Sequence, residues 1–189
     1  RATRPDGQLH GLGQTQYIDD ITFPHMIHAK VLRSAHPHAR IVSVDTSAAE
    51  AMPGVLATLT GKEIPTNSFG PTLQDQPVLA AEIVRHRGDG VAAVAAVTEQ
   101  IAADALEKIK IEYEPLEPIF DPLVALEEDS LKIHGGDTNV YASKVIKKGD
   151  VETALAASDH VIHQQYQTQM VEHVPLEPHA SIASWDGNG

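Results

Sequence analysis

The chain contains no cysteine, which removes disulfides, iron–sulfur ligation, thiolate zinc sites and cysteine nucleophiles from within it. That absence fits a reducing compartment, and the expected location is cytoplasmic. Basic residues are scarce: 14 Lys and Arg stand against 26 Asp and Glu, a formal net charge of −12. Phosphate recognition needs a basic surface, so the expected partners include no nucleic acid. Long apolar runs are missing as well. The best, Val91–Val97, is strand length, far short of the roughly 20 residues of a spanning helix, so no membrane association is expected. No apolar segment follows Arg1–Asp6, so the start is not a signal peptide. It also lacks an initiator Met, and Trp185–Gly189 reads as a strand entering a turn. Both ends read as cut from something longer. What remains is ordinary for a globular protein, with 42% hydrophobic and 21% charged residues over 189 positions. That length gives one to two domains and enough chain to bury a core.

Along the chain, Met26–Ser34 and Arg40–Val44 read as strands, separated by a turn at Ala35-His36-Pro37-His38. Ser47-Ala48-Ala49-Glu50 has capping-box spacing, which predicts a short helix starting at Ser47 and stopped by Pro53-Gly54. Val55–Leu59 is the next strand, and Gly61–Pro77 reads as a long surface loop. Ile83-Val84 enters the reversal Arg85–Gly90, where Gly88 and Gly90 both allow positive φ, in hairpin fashion. Val91–Val97 then predicts an apolar strand. Thr98 caps a helix whose apolar face is Ile101, Ala102, Ala105, Leu106 and Ile109, and Lys110–Glu114 is a strand. Strand, helix and strand in succession predict a βαβ unit with parallel neighbours. Beyond Pro122, the cluster Glu127–Asp129 and the turn Gly135–Asp137 suggest a linker. Tyr141–Lys148, His160–Met170 and Ala180–Trp185 read as strands, with a helix capped by Gly149-Asp150 between the first two. The class is α+β.

Eleven histidines invite a metal hypothesis. His36 and His38 sit at i, i+2, but Pro37 lies between them and no third ligand is spaced to complete a tetrahedron. His173 and His179 flank Leu176-Glu177-Pro178, where prolines break any helix that an HExxH site needs. Asp19-Asp20 face opposite ways if extended, and read as solvated charge. Gly11-Leu12-Gly13 lacks the third glycine and preceding strand of a dinucleotide loop. Arg87-Gly88-Asp89 has the composition of an integrin-binding tripeptide, and is more simply turn chemistry. No Ser lies in a G-x-S-x-G elbow. The residues alone therefore name no catalytic, cofactor-binding or metal-binding side chain.

The order of several blocks is more telling than any one of them. Gln16–Ile21, His28–Ser34, His38–Ile41, Pro53–Val55, Arg87–Ala92 and Ile111–Leu116 together resemble the molybdopterin-binding large subunit of the molybdenum hydroxylases, the xanthine dehydrogenase and aldehyde oxidase family. On that resemblance, residues 10–122 form an α/β hammerhead domain and 123–137 a linker. Residues 138–189, with Gly149–Val151 and Glu172–Pro178, are then the first strands of an incomplete molybdopterin-binding domain. Two departures, Gly13-Gln14-Thr15-Gln16-Tyr17 at the entry and the final glycine of Gly88-Asp89-Gly90, do not touch chemistry.

The family implies oxidative hydroxylation of an electron-poor carbon with water-derived oxygen, or in some members reductive chemistry, with a glutamate as general base. Its substrates include purines, aldehydes, N-heterocycles, aryl-CoA thioesters and carbon monoxide. It further implies a molybdopterin–molybdenum cofactor, and [2Fe-2S] and FAD centres on partner subunits or domains. The family's pterin-binding residues and base lie downstream of the matched region, so the resemblance carries no catalytic, cofactor or metal residue onto this chain. Glu177 reads as strand packing, not as that base. The implied partners are the remainder of the large subunit and the iron–sulfur and FAD subunits, with self-association expected if the fragment is isolated. The rival reading is a stand-alone assembly or binding module holding a structural metal through its histidines.

Overall fold

A computed structural model of the chain describes residues 4–71, 73–175 and 177–185. In chain order the elements are α1 (Gly7–Gly11), β1 (His28–Arg33), β2 (Ala39–Asp45), α2 (Ser47–Glu50), β3 (Val55–Thr60), β4 (Ile83–Val84), β5 (Gly90–Ala96), α3 (Glu99–Leu106), β6 (Lys110–Pro115), α4 (Pro122–Ala125) and α5 (Val151–Ala156). Helices and antiparallel sheets make the expected α+β class. Residues 26–145 form one unit, and the stretches on either side of it fall in another.

Within residues 26–145 there are two three-stranded sheets, ordered β1-β5-β3 and β4-β2-β6. Every pairing is antiparallel. This corrects the βαβ expectation: β5 and β6 flank α3 but belong to different sheets. The parallel rule holds only when both strands join one sheet. Here β5, apolar along its length, takes the centre of the first sheet, while β6 alternates charged and apolar residues and lies at the edge of the second beside β2. The turn at Arg85–Gly90 is therefore no hairpin, since β4 and β5 are also in separate sheets. Only Gly88 there has positive φ, at +100°. Gly90 sits in a tight place instead: a Cβ would lie 3.1 Å from Leu79 Cδ2 and from Val31 Cγ1, so those side-chain ends would have to give way by a few tenths of an ångström.

The core follows from small side chains. Ala92 and Val94 of β5, Ala49 of α2, and Ala105 and Ile109 from α3 and its exit form one buried cluster. Ala39 and Ile41 of β2, Ala80, Val84 and Val91 form another. Helix α3 is built as its sequence requires. Thr98 adopts extended φ/ψ and its side chain accepts from Ile101 N–H, while Ala102 and Ala105 turn inward. Helix α2 is capped differently from the expectation. Asp45 accepts from both the backbone N–H and the hydroxyl of Ser47, so Ser47 is the first helical residue, and Glu50 accepts from the Thr46 and Thr58 hydroxyls. The shorter reach of an aspartate two residues ahead outcompetes the serine. The stretch read as a plain loop from Gly61 opens with a 3-10 turn, Gly61–Glu63, closed by a Thr60–Glu63 capping box, and Phe69 bridges to Gln76.

Several of these carboxyls titrate below their usual range for stated reasons. Glu50 is held down by the Thr46 and Thr58 hydroxyls, Asp45 and Glu63 by Ser47 and Thr60, and Glu99 by the Lys30 ammonium. A depressed carboxyl contributes stability that is complete above its unfolded pKa and is lost as pH falls through the folded value. Melting temperature is therefore expected to fall between about pH 5 and pH 3, with a shallower fall in Glu50→Gln. Calorimetry across that range checks this; an equally steep slope in the variant would refute the Glu50 assignment.

Outside residues 26–145, α1 is stopped just past its C-cap Leu12 by Gly13, whose φ of +66° suits a helix-stop glycine. The pair Gly11/Gly13 is thus a helix terminus, not a phosphate loop. Asp150 caps α5 by accepting from Thr153 N–H. The strands expected at 141–148, 160–170 and 180–185 are not formed among the described residues. Local β propensity needs a neighbouring ladder to satisfy its backbone, and those segments run without one.

Candidate functional site

A cleft of about 360 Å³ lies within residues 26–145, lined by Asp75, Pro77, Arg85, His86, Asp89, His134 and Tyr141, among others. Its polar groups are engaged with one another. The Asp89 carboxylate accepts from the N–H of Arg85 at 2.6 Å and of His86 at 3.2 Å, and its other oxygen lies 2.8 Å from His86 Nε2. His134 Nδ1 is 2.8 Å from Asp75. The Arg85 guanidinium donates to the Ile133 carbonyl at 3.0 Å. Asn139 accepts from Ile133 N–H and donates to the Ala125 and Leu131 carbonyls. The cleft is thus a clasp joining the 73–77 loop, the 85–90 turn and residues 131–141. No hydroxyl or amine is paired with a histidine in it as a nucleophile would be, among the described residues.

The sequence singled out the 85–90 turn but not Asp75, His134 or Asn139, whose partnerships depend on folding. The clasp also explains the tripeptide Arg87-Gly88-Asp89: the Asp89 carboxylate is turned inward, its side chain only 14% exposed, so it is not presented to a receptor. Replacing Asp89 with alanine should cost about 2 kcal/mol, since two backbone donors lose their acceptor, and asparagine should recover roughly half. Urea midpoints for the two variants decide this; equal losses would mean that the carboxylate's own charge matters more than its acceptance from the backbone donors.

The histidines separate. His36 stacks on Tyr113 with ring centroids 4.7 Å apart, while buried His38 donates from Nδ1 to the Glu117 carbonyl at 2.7 Å. Burial pushes the Tyr113 hydroxyl up, partly offset by its bond with Ser34. Asp20 closes a 3-10 turn by accepting from Tyr17 N–H. Arg4 holds the Asp6 carboxyl down to about 2. His173 sits beside exposed Glu172, and Glu177 lies in an exposed bend. Among the described residues, no group of three or more His, Asp or Glu is placed to hold a metal ion, and no buried side-chain polar atom lacks a partner.

A molybdopterin needs a cradle of backbone and side-chain donors around its phosphate and pterin. The side chains of the described residues from 146 to 185 are almost all exposed, and no such cradle is present among them. These residues do not fit the group, and no chemical step is derived through it. No helix among the described residues is long and apolar enough to cross a membrane.

Two antiparallel sheets with α3 against the first give residues 26–145 the architecture of an α/β hammerhead module. The family model for the aldehyde oxidase and xanthine dehydrogenase a/b hammerhead domain matches residues 12–117, and the chain belongs to that family. The molybdopterin cofactor-binding domain model matches residues 133–189. Similar proteins include a probable xanthine dehydrogenase subunit of Bacillus subtilis, 43% identical over 98% of this chain and 25% of that protein. The nicotinate dehydrogenase large molybdopterin subunit of Eubacterium barkeri is 44% identical over 94% of this chain and 42% of its own length. Among solved structures, the aldehyde oxidoreductase of Desulfovibrio gigas superposes with a TM-score of 0.68 at 31% identity, covering 82% of this chain and 19% of that one. The chain thus spans between a quarter and about two-fifths of the length of these two curated relatives.

Proposed function

We propose that this chain is the scaffold-forming part of the large subunit of a molybdenum hydroxylase: hammerhead domain at 10–122, linker at 123–137, and the opening of the molybdopterin-binding domain at 138–189. The observation that carries this is the succession of the two family matches, in order and nearly end to end. The clasp around Asp89, with its groups spent on one another, supports a structural role for these residues. The whole subunit would hold the molybdopterin–molybdenum cofactor and hydroxylate a purine, aldehyde, N-heterocycle or aryl-CoA substrate with water-derived oxygen. It would work in the cytoplasm with iron–sulfur and FAD subunits. In that assembly this chain binds no cofactor and supplies no reacting group.

The exposed apolar side chains of the later stretch fit this reading. Ile162 is 87% exposed, Met170 94% and Trp185 86%, which is unusual for side chains whose burial drives folding. The test uses the complete gene product containing these residues, assayed for molybdenum and for acceptor reduction against a panel of those substrate classes. Stoichiometric molybdenum and turnover of one class are expected, with neither from the 189 residues alone. Turnover by that stretch alone would overturn the proposal.

A further inference from the structure

The two sheets of residues 26–145 present opposite kinds of open face. On the second sheet, Arg40 donates to Glu114 and Ser43 to Glu112 across the β2–β6 ladder, so that face carries charge to solvent. The first sheet does otherwise. Its packed face holds Leu32, Ala92 and Val94 in the cluster with Ala49 and Ala105. Its other face is fixed by register, with Ala29 opposite Ala95, Val31 opposite Ala93, and Ala57 and Leu59 opposite the same two alanines from β3. All six are apolar. Val31 and Leu59 are each 40% exposed, and Ala29 and Ala57 are also exposed.

An antiparallel sheet with one wet face alternates apolar and polar residues along its strands, whereas one buried on both faces reads as a continuous apolar run. The central strand Gly90–Ala96 is such a run, with no polar side chain. The neighbouring sheet of the same domain obeys the alternating rule, so the difference is local to this face. Four alanines among six residues also make it low and flat, which lets another backbone approach closely.

We infer that this face, Ala29, Val31, Ala57, Leu59, Ala93 and Ala95, is the seat of an uncharged apolar segment of the same large subunit, from polypeptide outside these 189 residues. This rests on the reading given under Proposed function. Two observations select that occupant over a second copy. The curated relatives extend well beyond the matched stretch, which is 25% of one and 42% of another, so covering chain is at hand. The patch is also small. Three strands about 4.8 Å apart, over some five residues at about 3.3 Å each, give on the order of 200 Å². That is far below the roughly 800 Å² per partner of a stable two-chain interface, whereas a tethered segment needs much less because its effective concentration is high. None of the six side chains carries charge, and the Arg33 guanidinium, next after Val31 on that side of β1, donates to the Gly88 carbonyl, so a charged segment would lose its hydration without gaining a partner on the patch.

The test uses the full-length subunit in its assembled complex. Ala57→Cys is expected to react with a thiol reagent at least about tenfold more slowly in the native complex than in urea, while Glu112→Cys on the charged sheet stays within a few-fold of its urea rate. Hydroxyl-radical footprinting of Leu59 in the unmodified complex should show the same protection without any substitution. A photo-crosslinking residue at position 57 should attach to the large subunit beyond position 189. Equal reactivity at 57 in native and unfolded protein, equal protection at 57 and 112, or a crosslink to another subunit or a second copy overturns the inference. A gene product without molybdenum that nevertheless shields Ala57 with its own later residues would sink the functional reading and leave this one standing.

Discussion

Gly61→Val is expected to prevent the hammerhead unit from folding at ordinary temperature, and Gly61→Ala to cost about 3 kcal/mol or more. The reason is space, not φ. A Cβ on buried Gly61 would lie 2.3 Å from the Leu79 carbonyl oxygen and 2.8 Å from Ala80 C and Ala81 N. These are backbone atoms, so no side chain can rotate away. The stretch they belong to is held fast. Asn67 donates to the carbonyls of Gly61 and Leu79 and accepts from the N–H groups of Val78 and Leu79. Ala80 N–H donates to the Gly90 carbonyl at 2.7 Å. Displacing residues 79–81 would break that set and pull Ala80, 2% exposed, out of the cluster with Ile41, Val84 and Val91. Against a total stability of roughly 5–15 kcal/mol, such a loss is decisive. Gly88→Ala is the comparison. Its site has open space but positive φ, so a loss of only about 1–2 kcal/mol is expected. Thermal unfolding followed by circular dichroism, with soluble yield for the valine variant, checks both. A Gly61→Ala protein that melts within a degree or two of the parent would show that residues 79–81 are free to move aside.

How much of the fold is legible in the sequence depends on range. Helix α3 was readable because its cap, Thr98, and its apolar face lie within a dozen residues of one another and chemistry at that distance is local. The strands from His28 to Glu114 were readable for the same reason. Which sheet each strand joins was not. The parallel expectation for β5 and β6 failed because pairing depends on what lies beside β5 on both edges, namely β1 and β3, and no local pattern encodes that. The error at α2 is of another kind: Asp45, Thr46 and Ser47 are all competent caps, and a one-residue difference decided among them. The segments after Tyr141 have only β propensity to mark them as extended, and propensity without a ladder does not make a strand.

The clasp shows the same limit at the level of the site. Nothing near Asp75 in sequence announces His134, and Asn139 is an ordinary asparagine until the loop carbonyls of Ala125 and Leu131 converge on it. The histidine pair His36/His38 was visible, but its meaning lay in Tyr113 and Glu117, which draw the two rings to different partners. By contrast, the family was legible early, because it resides in the order of many short blocks and survives any error about a single element.

Ala105→Leu should lower stability by about 3 kcal/mol, which for a unit of this size corresponds to a fall of roughly 10 °C in melting temperature. Leucine and alanine have nearly the same helix propensity, so the loss reports packing and not the helix itself. Helix α3 meets the first sheet through small residues on both sides: Ala102 and Ala105 on the helix, Ala92 and Ala96 on β5, all 0% exposed. Interiors are packed to crystal-like density, and the added branch has no void to enter. Either α3 lifts from the sheet, weakening the Thr98 cap and the Lys30–Glu99 ion pair at its start, or β5 shifts against β1 and β3. Ala105→Gly separates the two contributions. It removes a methyl group and adds backbone freedom, for an expected cost of about 1–2 kcal/mol, smaller than that of the larger side chain. Glu107→Leu, at an exposed position just beyond the helix, should stay within about 0.5 kcal/mol of the parent. The order leucine worse than glycine at position 105, with little change at 107, follows only if α3 and β5 touch through their alanines. The reverse order in urea titrations would mean that a gap lies between helix and sheet.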